Sequence, residues 1–172
     1  MPVHPFNGVL PRIDPTAWVA PGAQVQGDVV MGPGSSLWFN VVVRGDVMPI
    51  RIGARSNIQD GSIVHVSRGT AATHIGDEVL VGHLAIVHGC TLMDRSFVGL
   101  GAVVMDGCVI EPEGMLGAGA LLSPVKVIGP RELWLGRPAK KVRLLSDEEV
   151  ARNALGTAGY VELARLNREA GL

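Results

Sequence analysis

The chain repeats a six-residue pattern through most of residues 13–128. Each hexapeptide begins with an aliphatic residue, continues with a small or polar one, and carries a small residue at its fifth position. Five hexapeptides follow one another without a gap from Val19: VAPGAQ, VQGDVV, MGPGSS, LWFNVV and VRGDVM. A period of six is typical of a parallel β-helix, in which three short strands with their bends form one coil. A β-sandwich, with turn signals about every 8 to 12 residues, fits this period poorly.

Hexapeptide-repeat proteins, which this pattern resembles, wind their coils left-handed, against the usual right-handed crossover rule. The predicted fold class is therefore mainly β, a left-handed parallel β-helix of hexapeptide repeats with a C-terminal α-helical segment. The 23 glycines and 11 prolines among many aliphatic residues agree with a chain that bends at short intervals.

Charge and hydropathy exclude several classes of function. The net charge is -1 and the pI about 6.5, so no nucleic-acid partner is expected. The sequence contains no apolar run long enough for a signal peptide or a membrane span, and we expect a cytoplasmic protein without a membrane partner. Two cysteines, Cys90 and Cys108, occupy fifth positions of their hexapeptides, where we expect them to be reduced and structural.

The positions of the histidines follow from the three faces of the coil, labelled A, B and C from Ile13. Consecutive coils of a β-helix stack about 4.8 Å apart. This places His65 and His88 above one another on face C, whereas His83 falls on face B. We interpret the five-residue spacing in VGHLAIVHGC as one hexapeptide with a residue deleted at the bend. The predicted first residues are Leu37, Ile58 and Val81 on face B, and Val43, Val64 and Ile86 on face C.

These histidines predict a metal site between subunits. Because His83 points off a different face from His65 and His88, the three meet most simply in a threefold-symmetric homotrimer. Three neutral imidazoles around an open position suit catalytic Zn²⁺, although such sites also accept Fe²⁺ or Co²⁺. His4 and His74 lack this register, and we expect both to be ordinary surface residues.

The segments NVVVRGDVMPIRIG, SNIQDGSIVH and VGHLAIVHGC together resemble the γ-class carbonic anhydrase family. The likeness spans about residues 10–145 and includes GRPAKKVR. It implies zinc ligation by His65 and His88 of one subunit and His83 of the next, with CO₂ and bicarbonate as substrates. It also implies that Arg44 and Asp46 form an interfacial pair, with Arg44 near the anion product. Gln59 would lie against the zinc-bound hydroxide, with Asn57 and Asp60 in support. Tyr160 would lie at the cleft, although a tyrosine there is equally expected as a packing residue.

The chain departs from the archaeal prototype of that family at three points. Val47 replaces a glutamate, and the insertion SRGTAAT between His65 and Ile75 contains no carboxylate. Leu84 replaces a glycine beside His83, which is expected to reshape the mouth of the site. The first two departures predict that the proton-shuttling acidic loop is missing and that activity is low or conditional.

The C-terminal segment differs in kind from the repeats, and we divide the chain into a β-helix domain, residues 1–145, and a helical segment, residues 146–172. Ser146 and Glu149 have the spacing of a capping box that opens a helix. Gly156 and Gly159 are expected to interrupt this helix. The sequence after them predicts an amphipathic helix packed along the β-helix.

Three functions are compatible with the sequence. The first is a zinc hydro-lyase that interconverts CO₂ and bicarbonate. The second is a hexapeptide acyltransferase, which would use a histidine base and not three clustered imidazoles. The third is a metal-binding trimeric assembly protein without turnover. Metal content separates the first function from the second, and turnover separates it from the third.

Overall fold

The computed structural model describes residues 3–172, so Met1 and Pro2, at the start of the predicted first domain, lie outside the described residues. Within this range the chain forms twenty strands and one helix. The strands are β1 Val3–His4, β2 Arg12–Ile13, β3 Trp18–Val19, β4 Gln24–Met31, β5 Ser36–Leu37, β6 Val42–Ile52, β7 Asn57–Ile58, β8 Ile63–His65, β9 Thr73–Ile75, β10 Leu80–Val81, β11 Ile86–His88, β12 Thr91–Leu92, β13 Phe97–Val98, β14 Val103–Val104, β15 Val109–Ile110, β16 Met115–Leu116, β17 Leu121–Leu122, β18 Val127–Ile128, β19 Glu132–Gly136 and β20 Ala139–Leu144; the helix is α1 Asp147–Glu169.

The strands form the predicted left-handed parallel β-helix. Every pairing from β1 to β19 is parallel, and only the final hairpin, β19 with β20, is antiparallel. Each hexapeptide turns its first residue inward, so the core consists of stacked aliphatic columns that are almost fully buried. On face B, Leu37 pairs with Ile58 and Ile58 with Val81, as predicted.

The predicted frame of face C is wrong in one coil. Val64 pairs with Val87 and not with Ile86; Val87 is fully buried, whereas Ile86 is 37% exposed. The sequence allows two overlapping hexapeptides here because residues 86 and 87 are both aliphatic, and burial selects the second. Val81 and Val87 are therefore a full six residues apart, and the deleted residue lies after His88, between Val87 and Leu92.

The outer surfaces of the three faces differ in their covering. Face B is covered by α1, which packs on β3, β5 and β7. The outer column of face A is polar in its middle, where Arg51, His74 and Thr91 stack. The outer column of face C is aliphatic throughout the coils that carry the histidines, and in the single chain its members are partly or largely exposed. Its members are Val42, Ile63, Ile86, Val103 and Leu121.

The C-terminal helix begins as predicted and continues further than predicted. Ser146 and Glu149 form the capping box, each side chain bonding to the backbone N–H of the other residue. The expected interruption at Gly156 and Gly159 is wrong, because α1 continues through both. Each glycine costs about 1 kcal/mol relative to alanine, which good helix formers on either side and packing on face B offset. Among residues 3–172, no helix is both long and apolar enough to cross a membrane.

A ladder of alternating charge lies along the corner between faces A and B. Its members are Arg55, Glu78, Arg95, Glu113 and Arg131, all at positive φ. Each member forms an ion pair with a ladder residue one coil away, as Arg55 does with Glu78 at 2.8 Å and Arg95 with Glu113 at 3.2 Å. The last arginine also pairs with Asp147 at the start of α1. The ladder thus links the β-helix to the helix that covers face B.

Candidate metal centre

Two of the predicted ligands meet on face C. Strand pairing sets His65 directly beside His88 in the next coil. His65 Nδ1 lies 3.0 Å from His88 Nε2, and the ring centroids are 5.0 Å apart. Two nitrogens bound tetrahedrally to one zinc at about 2.0–2.1 Å would be about 3.3 Å apart. The two rings therefore approach each other as a pair of ligands to one ion would.

A carboxylate holds the other nitrogen of each ring. His65 Nε2 is 3.1 Å from Asp46 Oδ1, and His88 Nδ1 is 2.5 Å from Asp106 Oδ1. Asp46 also accepts a hydrogen bond from Arg44 of the same chain, whereas the family resemblance implies an interfacial role for this pair, which stays a prediction. Partial burial tends to raise the pKa of Asp46, but the hydrogen bonds from His65 and Arg44 outweigh it, and its pKa lies below the usual value. The Asp46 carboxyl is therefore ionised and places a negative charge beside His65.

Asp106 was not predicted from the sequence. It lies in the hexapeptide VMDGCV, one coil beyond His88, and its Oδ2 accepts a hydrogen bond from Ser67 of the insertion at 2.5 Å. Partial burial opposes ionisation here too, yet the bonds from Ser67 and His88 keep the pKa of Asp106 below its usual value. The available signal was the register, since Val104 stacks on Val87 and so brings Asp106 level with the residue after His88.

His83 belongs to a second group of side chains at the end of face B. Its Nδ1 lies 2.8 Å from Asp60 Oδ2 in the coil before. Its Nε2 lies 3.5 Å from the hydroxyl of Tyr160, which packs edge-on against Trp38 at a centroid distance of 5.1 Å. Burial raises the pKa of Tyr160, and the Asp60 carboxylate adds to this effect, so the phenol stays protonated. Helix α1 thus brings Tyr160 to an imidazole 77 residues away in sequence.

Gln59 and Asn57 complete this second group. Both are buried on face B, and Gln59 Nε2 donates a hydrogen bond to Asn57 Oδ1 at 3.1 Å. The Asn57 Nδ2 amide is buried with no hydrogen-bond partner among residues 3–172. A buried amide donor left unpaired costs free energy and indicates a place where a further polar group would be accommodated.

The candidate site therefore consists of two halves in a single chain. The face-C half contains Arg44, Asp46, His65, His88 and Asp106. The face-B half contains Asn57, Gln59, Asp60, His83 and Tyr160. Within the described chain, residues 3–172, no group of three or more His, Cys, Asp or Glu side chains converges closely enough to hold a metal ion. Each of the three imidazoles nevertheless has a carboxylate on one nitrogen, the arrangement that orients histidine ligands in metal sites.

Comparison with known proteins identifies the family. The chain is 41% identical over 160 residues to a carbonic anhydrase of Geobacillus kaustophilus, covering 93% of this chain and 87% of that protein. It is 44% identical over 162 residues to gamma carbonic anhydrase 2, mitochondrial, of Arabidopsis thaliana. This chain belongs to the γ-class carbonic anhydrase family. The alignment covers 91% of this chain but only 58% of the length of the Arabidopsis protein. No family model matches the chain.

Among solved structures, the γ-class chain is similar to a hexapeptide transferase family protein from Anaplasma phagocytophilum. The TM-score is 0.91 at 42% identity, over 95% of this chain and 96% of that one. The likeness extends over both the β-helix and most of the remaining chain. The two descriptions, carbonic anhydrase and transferase, correspond to two of the three functions that the sequence left open.

The remaining residues that the sequence singled out lie around the two halves or away from them. Leu84 follows His83 at a positive-φ corner where Gly61 and Gly101 stand in adjacent coils, and its side chain is 69% exposed. His74 lies exposed on face A, and His4 hydrogen-bonds Gln24 at 2.8 Å. Cys90 and Cys108 are buried free thiols, and burial raises the pKa of both.

Proposed function

We propose that this chain is a carbonic anhydrase-like hydro-lyase that interconverts CO₂ and bicarbonate, with zinc held between the subunits of a homotrimer. The observation that carries the proposal is the division of three carboxylate-paired imidazoles between two half-sites of one chain. The names of the γ-class relatives support the reaction. An acyltransferase needs one histidine base and gives no reason for three imidazoles to be paired in this way.

The surface of the β-helix favours self-association through face C. Face B is covered by α1, and the outer column of face A is partly polar. Face C presents Ile63, 43% exposed, and Ile86 beside the His65–His88 pair. Contiguous aliphatic surface of this kind is typical of an interface between subunits. A neighbour seated there with its face-B corner inward would bring its own His83 to the pair.

The donor set fits zinc. His65 and His88 of one subunit with His83 of the neighbour would supply three neutral imidazoles, and Fe²⁺ or Co²⁺ would fit the same donors. When bound, the ion supplies hydroxide at neutral pH by lowering the pKa of a coordinated water to about 7. The buried Asn57 Nδ2 amide, which has no hydrogen-bond partner among residues 3–172, is a donor that a filled site would supply with an acceptor.

The other residues of the chain would position the reactants. Asp46 holds the His65 ring and is itself held by Arg44, whose side chain is 45% exposed and would attract bicarbonate. Gln59 donates a hydrogen bond to Asn57 through Nε2, and its amide oxygen would accept a hydrogen bond from the oxygen nucleophile. The Tyr160 hydroxyl stands beside His83, where it would hydrogen-bond a substrate oxygen. One proton must leave in each hydration cycle, and Val47 supplies no carboxylate for it.

The proposal is tested by anaerobic purification of the full chain, followed by metal analysis and a CO₂ hydration assay on the same sample. We expect about one zinc or iron per subunit, measurable hydration, and a trimer in solution. His83→Ala should lose the metal and loosen the trimer, because metal binding free energy adds to assembly. His74→Ala, the removal of an exposed imidazole on face A, is the matched control and should do neither.

Each other function predicts a different result. Equal metal content in the two variants would contradict the ligand assignment. A fully loaded trimer with no hydration activity in any buffer would favour the assembly protein. A metal-free protein that transfers acetyl groups would favour the acyltransferase.

A further inference from the structure

We infer that Asp106 is a positioning residue for His88, and that Ser67, through Asp106, ties the insertion at residues 67–73 to the candidate metal centre. The inference rests on the proposed metal site, but concerns residues to which neither the repeat pattern nor the family resemblance assigns a role. It gives the insertion, which lacks the acidic side chains of a proton shuttle, a different task.

The Asp106 carboxylate has both oxygens engaged on opposite sides. Oδ1 accepts a hydrogen bond from His88 Nδ1, and Oδ2 accepts one from the Ser67 hydroxyl, both at 2.5 Å. A carboxylate bonded at only one oxygen can rotate and take the imidazole with it. Because Ser67 fixes the second oxygen, the carboxylate plane is set and with it the direction in which His88 Nε2 points, towards His65.

The insertion is built firmly enough to act as this support. Ser67 and Ala71 pair as an antiparallel bridge, with Ser67 N–H donating to Ala71 O at 3.0 Å, so the segment forms a closed turn. At its end, the buried Thr73 hydroxyl donates to His65 O at 2.6 Å and accepts from Gly89 N–H at 3.0 Å. The same turn therefore contacts the ends of both strands that carry the ligand pair.

The expected size of the effect follows from metal sites in general. A carboxylate behind a ligating histidine fixes the tautomer and raises the basicity of the imidazole, and its loss typically costs about 10–100-fold in metal affinity. Asp106→Ala should therefore weaken zinc binding by about 10–100-fold. Asp106→Asn keeps an acceptor oxygen without the charge and should lose less. Ser67→Ala leaves the Asp106–His88 bond in place and should lose the least.

Asp94 provides a matched control. Asp94 is the third residue of the hexapeptide LMDRSF and follows a methionine, as Asp106 does in VMDGCV. Its carboxylate accepts a hydrogen bond from the Asp77 backbone N–H at 2.9 Å and forms no hydrogen bond with a histidine among residues 3–172. Asp94→Ala should thus share any general cost of removing a corner carboxylate while leaving metal affinity unchanged.

The experiment measures Zn²⁺ affinity of the full-length trimer by competition with a chelator, and the visible spectrum of the Co²⁺-substituted protein, for the wild type and these variants. We expect the order wild type, Ser67→Ala, Asp106→Asn, Asp106→Ala in falling affinity, with a changed Co²⁺ spectrum in the Asp106 variants only. If Asp106→Ala does not fold, the other two variants carry the test. An Asp106→Ala protein within twofold of the wild type, or an equal loss in Asp94→Ala, would overturn the inference.

The result is separable from that of the proposed function. Wild-type protein that binds zinc without hydrating CO₂ would contradict the proposed reaction, and the affinity order would still decide the role of Asp106. Wild-type protein that binds neither Zn²⁺ nor Co²⁺ would overturn both.

Discussion

Replacing Ile86 by aspartate is expected to dissociate the proposed trimer while leaving the β-helix of each subunit folded. Ile86 lies on the outer column of face C, next to Ile63 in the preceding coil and Val103 in the following one. Its side chain does not belong to the core, whereas the side chain of the next residue, Val87, points inward and is fully buried. The substitution therefore acts mainly on the surface that a neighbouring subunit would cover.

The magnitude follows from the exposure of Ile86. Burying a whole isoleucine side chain contributes about 1.5–3 kcal/mol, so covering the 37% that remains exposed contributes about 0.6–1.1 kcal/mol in each subunit. An aspartate loses this contribution and adds an unpaired charge, whose burial costs several kcal/mol. Three such carboxylates in one trimer shift the equilibrium by several orders of magnitude, since about 1.4 kcal/mol is a factor of ten.

Light scattering coupled to size exclusion measures the outcome, with circular dichroism as the check on folding. Val127→Asp is the matched control, because Val127 is a 50% exposed aliphatic residue of the outer column of face A. We expect a monomer with low metal content for Ile86→Asp and an unchanged, loaded trimer for Val127→Asp. A loaded trimer for Ile86→Asp, or equal dissociation of both variants, would refute the assignment of face C as the interface.

Three further outcomes are expected. The kcat for CO₂ hydration should rise with the concentration of imidazole buffer at fixed pH and ionic strength, because general-base assistance is typically worth about 10²–10⁴-fold. Val47→Glu should weaken this dependence on buffer. A kcat that does not change with buffer concentration would contradict the prediction. The bond from Arg143 lowers the pKa of Glu149 to about 2, below its unfolded value, so this carboxylate stabilises the fold above about pH 4.3 and loses that effect as the pH falls towards 2. Glu149→Gln should accordingly lower Tm at pH 7, and the difference from the wild type should vanish near pH 2 in a thermal melt series. Leu84→Gly should relieve the positive-φ strain of the folded state, which stabilises the protein, and raise the entropy of the unfolded chain, which destabilises it. Each effect is about 1 kcal/mol, so they nearly cancel and Tm should stay within about 3 °C of the wild type. A larger fall would show that the leucine packs against a neighbour.

The period of six allowed much of the fold and of the site to be predicted from the sequence. Once three hexapeptides make a coil, stacking is determined by counting, and His65 and His88 fall in one column without any knowledge of side-chain packing. The separation of His83 from that pair follows in the same way. The contacts of the face-B half could not be predicted by counting repeats, because Tyr160 reaches His83 only through the packing of α1 on face B.

The errors have identifiable causes. Residues 86 and 87 are both aliphatic, so hydrophobicity alone did not fix which one points inward, and the choice of Ile86 misplaced the deleted residue. Asp106 was missed for a different reason, because either register places it in the coil after His88 and only the direction of its side chain shows that it bonds the ring. The interruption of α1 at Gly156 and Gly159 was overestimated because an intrinsic cost of about 1 kcal/mol per glycine is small beside the packing of a 23-residue helix with a capping box.

The geometry of a β-helix gives a physical reason for placing such a metal centre between subunits. Residues of one column recur once per coil, about 4.8 Å apart, and two imidazoles in adjacent coils can lean together, as His65 and His88 do at 3.0 Å between nitrogens. A third imidazole in the same column would start about 9.6 Å from the first, whereas ligands of one tetrahedral zinc lie about 3.3 Å apart. The next column of the same chain lies around a corner and faces another direction. A third histidine can therefore complete the set most simply from the corner of another chain, and His83, held by Asp60 with its Nε2 turned outward beside Tyr160, is placed on such a corner.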